Sequence, residues 1–439
     1  DPTPNPNPNP RPRPNPSPNP NPNPNANPTP SSRMEPCFIL DDRYHGAGPV
    51  LFRWHPRGHV LATSGSNRKV QIFSREGYLL ATPVAASSTA CTDLAWSVSG
   101  ATLAIGQANS SVVLLWDYET WVVRELDVGL KEVSLLLWSK SDNILAIGTS
   151  KGVVYIYDMD TGMKIEAGGR HKRRIISADW LGSSSLAYAS EDKQITMCTS
   201  AGIMLDQVKV KCRPLDVAFG GKEFDENSIV SVNMEGKTIL LYNATEKDNA
   251  LELAFQAKYG SIVAYTWFSD GYIMAGFSSG FVVVISTRVN EIGREQFCAR
   301  FLKEGLNDLA HCPRAARMAC VGDGCIKIVD MHDWTEATAQ YLPRDTGRLD
   351  RVAWGEGGSI LTVSSEEGTI YSFKIKSSAN EVRNLKHTFA MTVMEALPAE
   401  GLFLGAAVLL AGVGLIVSIT FDLPLLRLLR EAFFPTSSF

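Results

Sequence analysis

The chain has 439 residues, a net charge of −4 and 44% hydrophobic residues, enough to build a large core and without the basic excess that would suggest nucleic acid as a partner. Its eight cysteines form no CxxC pair, so neither a zinc site nor a disulfide framework is indicated, and buried free thiols in a reducing compartment are the simplest account. No GxxxxGK[ST] phosphate loop or HExxH metal motif occurs, and Gly355-Glu-Gly357-Gly358 reads as a turn, so catalysis, cofactor and metal are not expected.

In chain order, residues 1–30 alternate Pro with Asn, Arg, Thr or Ser and hold 14 of the 24 prolines. With nothing apolar to bury, residues 1–33 are expected to be a disordered, polyproline-II-like tract. The tract is either a spacer or sequence preceding the true start, since the first methionine is Met34.

A repeat follows. Trp54, Trp96, Trp138 and Trp180 are each 42 residues apart, and Trp267 and Trp354 continue the series 87 residues apart. Each period has a Trp, a turn, a strand often carrying Leu-Ala (Leu103-Ala104, Leu145-Ala146), and a strand that often closes on an aromatic and Asp. Asp117, Asp158 and Asp330 are those closing aspartates. The fifth unit has Phe219 in place of Trp, and the seventh centres on Val321-Gly-Asp-Gly324. Short β-branched strands broken every few residues by Gly, Asp, Ser or Asn argue an all-β array, and the period matches four-stranded WD-repeat blades of a β-propeller. The count leaves seven or eight blades. The tryptophans and Leu-Ala pairs are expected to pack between blades, because no blade can bury its apolar face alone. Cys37-Phe-Ile-Leu40 is expected to supply the outer strand of the last blade and so close the ring.

Other polar residues in the array point to no chemistry. Arg170-His171-Lys172-Arg173-Arg174 is the densest basic cluster and reads as a solvated loop. His55 and His59 flank a turn, where a structural hydrogen bond is the expectation. The propeller is assigned to 34–376, followed by a linker at 377–400. Residues 401–421 then run without a charge, and as a helix they would span about 30 Å, so they are a candidate membrane span with a short tail, 422–439, beyond it.

Some stretches are more particular than a generic blade. They are Leu135-Leu-Leu-Trp138-Ser-Lys140, Gly260-Ser-Ile-Val263-Ala-Tyr-Thr-Trp267, Asp270-Gly271-Tyr-Ile-Met274-Ala-Gly276 and Gly322-Asp-Gly-Cys325-Ile-Lys-Ile328. In their order and spacing, from about Met34 to Lys376, they resemble the N-terminal propeller of the 144-kilodalton WD-repeat subunits of intraflagellar transport complex A. The resemblance implies a non-catalytic scaffold of retrograde ciliary transport, cilium assembly and ciliary entry of membrane cargo. It implies contacts with other complex A subunits and ciliary membrane cargo adaptors, and a cytoplasmic location at the cilium and its base. Family members continue into a second propeller and a helical-repeat array; residues 377–439 match neither, which leaves a fragment with a foreign tail or a membrane-anchored variant. Taken at face value, a propeller before one membrane span also resembles the layout of an endoplasmic-reticulum GTPase exchange factor. A ubiquitin-ligase substrate adaptor is a third use of such a ring.

Overall fold

The computed structural model describes residues 32–377, apart from 86–88, 130–131, 221–228, 244–249, 269–270 and 344–345. The Pro-rich tract up to residue 31, the linker beyond Ser377, the candidate membrane span at 401–421 and the tail at 422–439 lie outside the described residues; Ser377 itself ends the last strand. Among the described residues no helix is long and apolar enough to cross a membrane.

The strands form eight antiparallel four-stranded sheets. Seven are built from consecutive strands, over 51–84, 91–127, 133–166, 175–209, 214–254, 262–300 and 308–341; they are blades 1 to 7. Blade 8 takes three strands from 349–377 and its fourth from the beginning of the array, where Ser32–Leu40 pairs antiparallel with Ile370–Ser377. The first strands of successive blades lie side by side around the whole ring, blade 8 against blade 1, so they form the innermost circle. Eight blades, not seven, close the ring, and Cys37–Leu40 lies in the closing strand.

Alternation within the second strands explains the Leu-Ala pairs. In blade 2, Leu103 and Ile105 join the core shared with blade 1, whereas Ala104 joins the core shared with blade 3. Blade 3 repeats this, with Leu145 and Ile147 facing backward and Ala146 facing forward. Successive side chains of a strand point to opposite faces, so one strand serves two junctions. The small Ala face leaves room for the tryptophan of the next blade: Trp138 shares a core with Ala104, and Trp180 with Ala146. Eight apolar cores result, one at each blade junction.

Six of the eight first strands carry a register shift at the same place, two residues before the apolar residue that precedes the junction, as between Cys91 and Asp93 or Ile175 and Ser177. A bulge bends a strand and sharpens its twist. It gives those six innermost strands the same kink, which the first strands of blades 1 and 7 lack.

Candidate functional site

The described surface offers two settings in which the repeat residues could act, the blade junctions and the channel that the first strands enclose. All six tryptophans stand at or next to the end of a first strand. Trp96, Trp138 and Trp180 each donate Nε1–H to a backbone carbonyl of the preceding blade, on Arg53, Ala95 and Leu137, at 3.2, 2.9 and 3.2 Å. Trp354 does the same to Ala310 at 3.0 Å. Each acceptor is the residue just before the preceding blade's own aromatic or histidine, so the same bond recurs at four of the eight junctions. Trp54 and Trp267 instead reach hydroxyls, Thr362 Oγ1 at 3.0 Å and Ser231 Oγ at 2.9 Å. In both cases the preceding blade has a glycine after its aromatic, Gly355 or Gly220; a Cβ on Gly220 would fall inside the Trp267 indole, and one on Gly355 would stand 3.0 Å from that of Trp54.

Blade 7 carries His311 where the other blades carry an aromatic, a substitution the tryptophan spacing skips over. Its ring lies edge-on to Phe268 of blade 6, centroids 5.6 Å apart, and its burial lowers its pKa. It fills the junction as an uncharged ring.

The closing aspartates sit outside both settings. Asp117 accepts from the backbone N–H of Glu119 and Thr120 and from the Thr120 hydroxyl. Asp158 accepts from Asp160 and Thr161 N–H, and Asp330 from His332 N–H. These are turn-capping bonds at the outer hairpins of blades 2, 3 and 7. They hold the carboxyls of Asp117 and Asp158 below the usual range.

A second set of aspartates, which the repeat did not single out, lies on the innermost strands. Asp93 takes Leu94 N–H on one oxygen and Leu136 N–H of blade 3 on the other, at 2.9 and 3.0 Å. Asp308 does likewise with Leu309 and with Val352 of blade 8, at 2.8 and 2.9 Å. Asp179 bridges Trp180 and Phe219 of blade 5 and pairs with Lys140 at 2.8 Å. Each clasps two blades by satisfying a backbone donor on both. Burial raises the pKa of Asp93 and Asp308 above an ordinary aspartate, in Asp93 against the pull of Arg53, whose guanidinium is 3.7 Å away.

A cavity of about 550 Å³ opens on the channel wall where blades 6, 7, 8 and 1 meet. Arg53 and Arg351 line it together with Asp308 and Asp350, and Trp54 and Trp354 form its apolar side. The two cations balance the two carboxylates, and Asp350 already accepts from the Ser364 hydroxyl at 2.5 Å. The cavity therefore holds no surplus charge and no activated nucleophile.

Several histidines and cysteines are committed to packing, while Cys37, Cys298, His59 and His332 are exposed. His55 accepts Arg57 N–H on Nδ1 and has Nε2 3.2 Å from the Gly100 carbonyl. His171 is not part of a solvated loop, as the basic cluster suggested: it is 3% exposed, with Nδ1 3.0 Å from Asp192 and Nε2 3.0 Å from Thr196 Oγ1. Only its four basic neighbours are exposed. The signal was a His in one turn and an Asp 21 residues on in another, too distant to pair by eye. Cys91, Cys198 and Cys320 are free thiols whose burial pushes their pKa up to about 12, too high to supply a thiolate.

Two Gly-x-Ser-x-Gly runs, Gly148–Gly152 and Gly276–Gly280, have the spacing of a nucleophile elbow. Both lie in turns between second and third strands of blades. Ser150 donates to a Glu132 carboxylate oxygen and Ser278 accepts from Ser261 N–H; among the described residues neither has a histidine partner. Among the described residues no group of three or more His, Cys, Asp or Glu side chains is placed to hold a metal ion.

The fold is shared with solved propellers of low sequence identity. The Saccharomyces cerevisiae Sqt1 structure superposes with a TM-score of 0.63 at 13% identity, covering 79% of this chain and all of that one. The C-terminal WD40 domain of Sif2 gives 0.63 at 13%, covering 78% and 99%. Sequence relatives are more specific. WD repeat-containing protein 19 of Mus musculus is 35% identical over 77% of this chain, and that of Homo sapiens 34% over 83%. WD repeat-containing protein dyf-2 of Caenorhabditis elegans is 28% identical over 81%. The matches cover 26%, 28% and 27% of those proteins, so the chain spans about a quarter of the length of these relatives. Residues 50–368, from the strand entering blade 1 to the last hairpin of blade 8, match the family described as the WDR19 first beta-propeller, and the chain belongs to that family.

Proposed function

We propose that this propeller is a non-catalytic scaffold module of intraflagellar transport complex A. In this reading it acts in retrograde ciliary transport, cilium assembly and ciliary entry of membrane cargo, by holding other complex A subunits and cargo adaptors at the cilium and its base. The observation that carries the reading is the family match over residues 50–368, to which the ordered motifs around Trp138 and Trp267 add the ciliary assignment. The chemistry agrees with a scaffold: the polar residues of the described junctions and channel are spent on holding blades together.

The test is affinity purification of the tagged full chain from ciliated cells, with imaging of its position. Co-purification of complex A subunits and enrichment at ciliary bases are expected. Absence from both removes the proposal. A nucleotide-release assay on the same protein should show no acceleration, and a clear acceleration would favour a GTPase exchange factor instead.

A further inference from the structure

The folded ring gathers cations that are scattered in the sequence. Arg170, Lys172, Arg173 and Arg174 stand exposed on the loop that leads from blade 3 into blade 4. Lys151 and Lys193, also exposed, occupy the turns between second and third strands of blades 3 and 4 on the same face. Lys209, at the end of the fourth strand of blade 4, and Lys211 and Arg213, from the loop leading into blade 5, complete the patch.

Short bonds tie these pieces into one surface. His171 N–H donates to the Gly152 carbonyl beside Lys151. Glu191 N–H donates to the Arg174 carbonyl, and the Glu191 carboxylate takes Arg213 at 2.6 Å. Lys193 Nζ reaches the Lys211 carbonyl at 3.4 Å. The buried His171–Asp192 pair anchors the loop, and Asp192 also accepts Lys172 N–H at 2.8 Å. The loop is therefore held rigid from beneath while its four cations point away.

The local carboxylates are mostly engaged. Asp192 and Glu191 are bound as above, Glu132 accepts from Ser150, and Glu235 accepts Arg213 N–H. Glu166, paired across the sheet with Tyr155, is an exposed acid four residues before Arg170. Among the described residues, Lys151, Arg170, Lys172, Arg173, Arg174, Lys209 and Lys211 make no ion pair. A surplus of positive charge thus stands on one face of a chain whose net charge is −4.

We propose that this face of blades 3 to 5 is a docking surface for an acidic polypeptide segment. The inference takes from the scaffold reading only that the ring binds proteins, and it holds whatever compartment the ring works in. Arginine forks pair with carboxylates in two parallel bonds, and a rigid loop loses little freedom on binding. Two other polyanions fit less well. Nucleic acid asks for aromatic side chains among the cations on which bases can stack, and the exposed Trp121, Tyr78 and Tyr341 belong to other blades. An anionic bilayer is gripped best where apolar side chains stand among the cations. The exposed Met163, Ile203, Met204, Leu205 and Leu251 stand at the starts of the outer strands or in the turns before them, whereas the loop cations stand at or past the ends of those strands; Leu215, two residues after Arg213, is a lone exposed apolar side chain at the edge of the patch.

The test uses the full chain and a fluorescein-labelled peptide of alternating Glu and Ser. Its anisotropy is compared with binding to phosphatidylserine-containing vesicles and to a single-stranded oligonucleotide. The triple variant Lys172→Glu, Arg173→Glu, Arg174→Glu should weaken peptide binding about tenfold or more. A control reversing Arg57, Arg124 and Arg294 to Glu should change it less than about twofold. Both variants are compared at matched thermal midpoints. If the patch triple does not fold, the pair Lys172→Gln, Arg173→Gln takes its place, with a loss of at least about threefold expected. Equal weakening by patch and control variants, no measurable peptide binding, or tighter binding to vesicles or oligonucleotide than to peptide each overturns the proposal.

Discussion

At the residue scale, buried imidazoles show how the ring uses polar atoms without chemistry. His45, at the end of a short helix over Asp42–His45, is fully buried with Nε2 3.0 Å from Thr63 Oγ1. Desolvation brings its pKa down from 6.5 to about 4. The folded state therefore holds it neutral. Its contribution to stability is complete above the unfolded value of 6.5 and is lost as pH falls towards 4, because the unfolded chain takes up a proton that the folded one refuses. At about 1.4 kcal/mol per pH unit the loss is on the order of 3 kcal/mol. A series of denaturant melts from pH 7 to pH 4 should show that decline, and His45→Asn should flatten it; an unchanged slope in the variant would assign the effect to other groups.

At the element scale, the junction between blades 5 and 6 depends on an absent side chain. Trp267 lies over Gly220, which follows Phe219 in the first strand of blade 5, and a methyl group on Gly220 would fall inside the indole. Gly220→Ala should push Trp267 off Ser231 and cost about 1–3 kcal/mol by overpacking, read as a lowered urea midpoint with unchanged m-value. The same change at Gly129, where a Cβ meets nothing within 4 Å, tests only its positive φ and should cost about 1 kcal/mol. Equal losses would show that the indole is free to move. This junction was partly legible in the sequence. The 42-residue spacing located Trp96, Trp138 and Trp180, and Leu-Ala marked the strands they pack on. Phe219 and His311 broke the pattern because any flat ring fills the slot, and the spacing registers only tryptophan. The aspartate clasps were not legible, since Asp93 and Asp308 stand three residues before their ring residues but Asp179 only one before Trp180, and one of those rings is His311 rather than a tryptophan. What they share is a donor on the next blade.

At the scale of the whole molecule, stability rests on closure. Ser32–Leu40 pairs along its length with Ile370–Ser377, Met34 joins the core of blades 7 and 8, and Leu40 the core of blades 8 and 1. Removing residues 1–40 should open the ring there, lower the thermal midpoint by several degrees, and leave an unpaired edge that promotes association. Calorimetry and size-exclusion chromatography would register both changes. A monomer with an unchanged midpoint would mean that the eighth blade stands on three strands. The period along the chain was enough to establish an all-β ring of repeats, because packing one blade on the next demands the same large and small residues at each turn of the sequence. Whether there are seven blades or eight, which strand closes the ring, and which loops bring Lys151, Arg173 and Lys211 onto one face were decided only by the tertiary structure. Those depend on curvature summed over all the blades, and on contacts between residues far apart in the chain, neither of which a local pattern can carry.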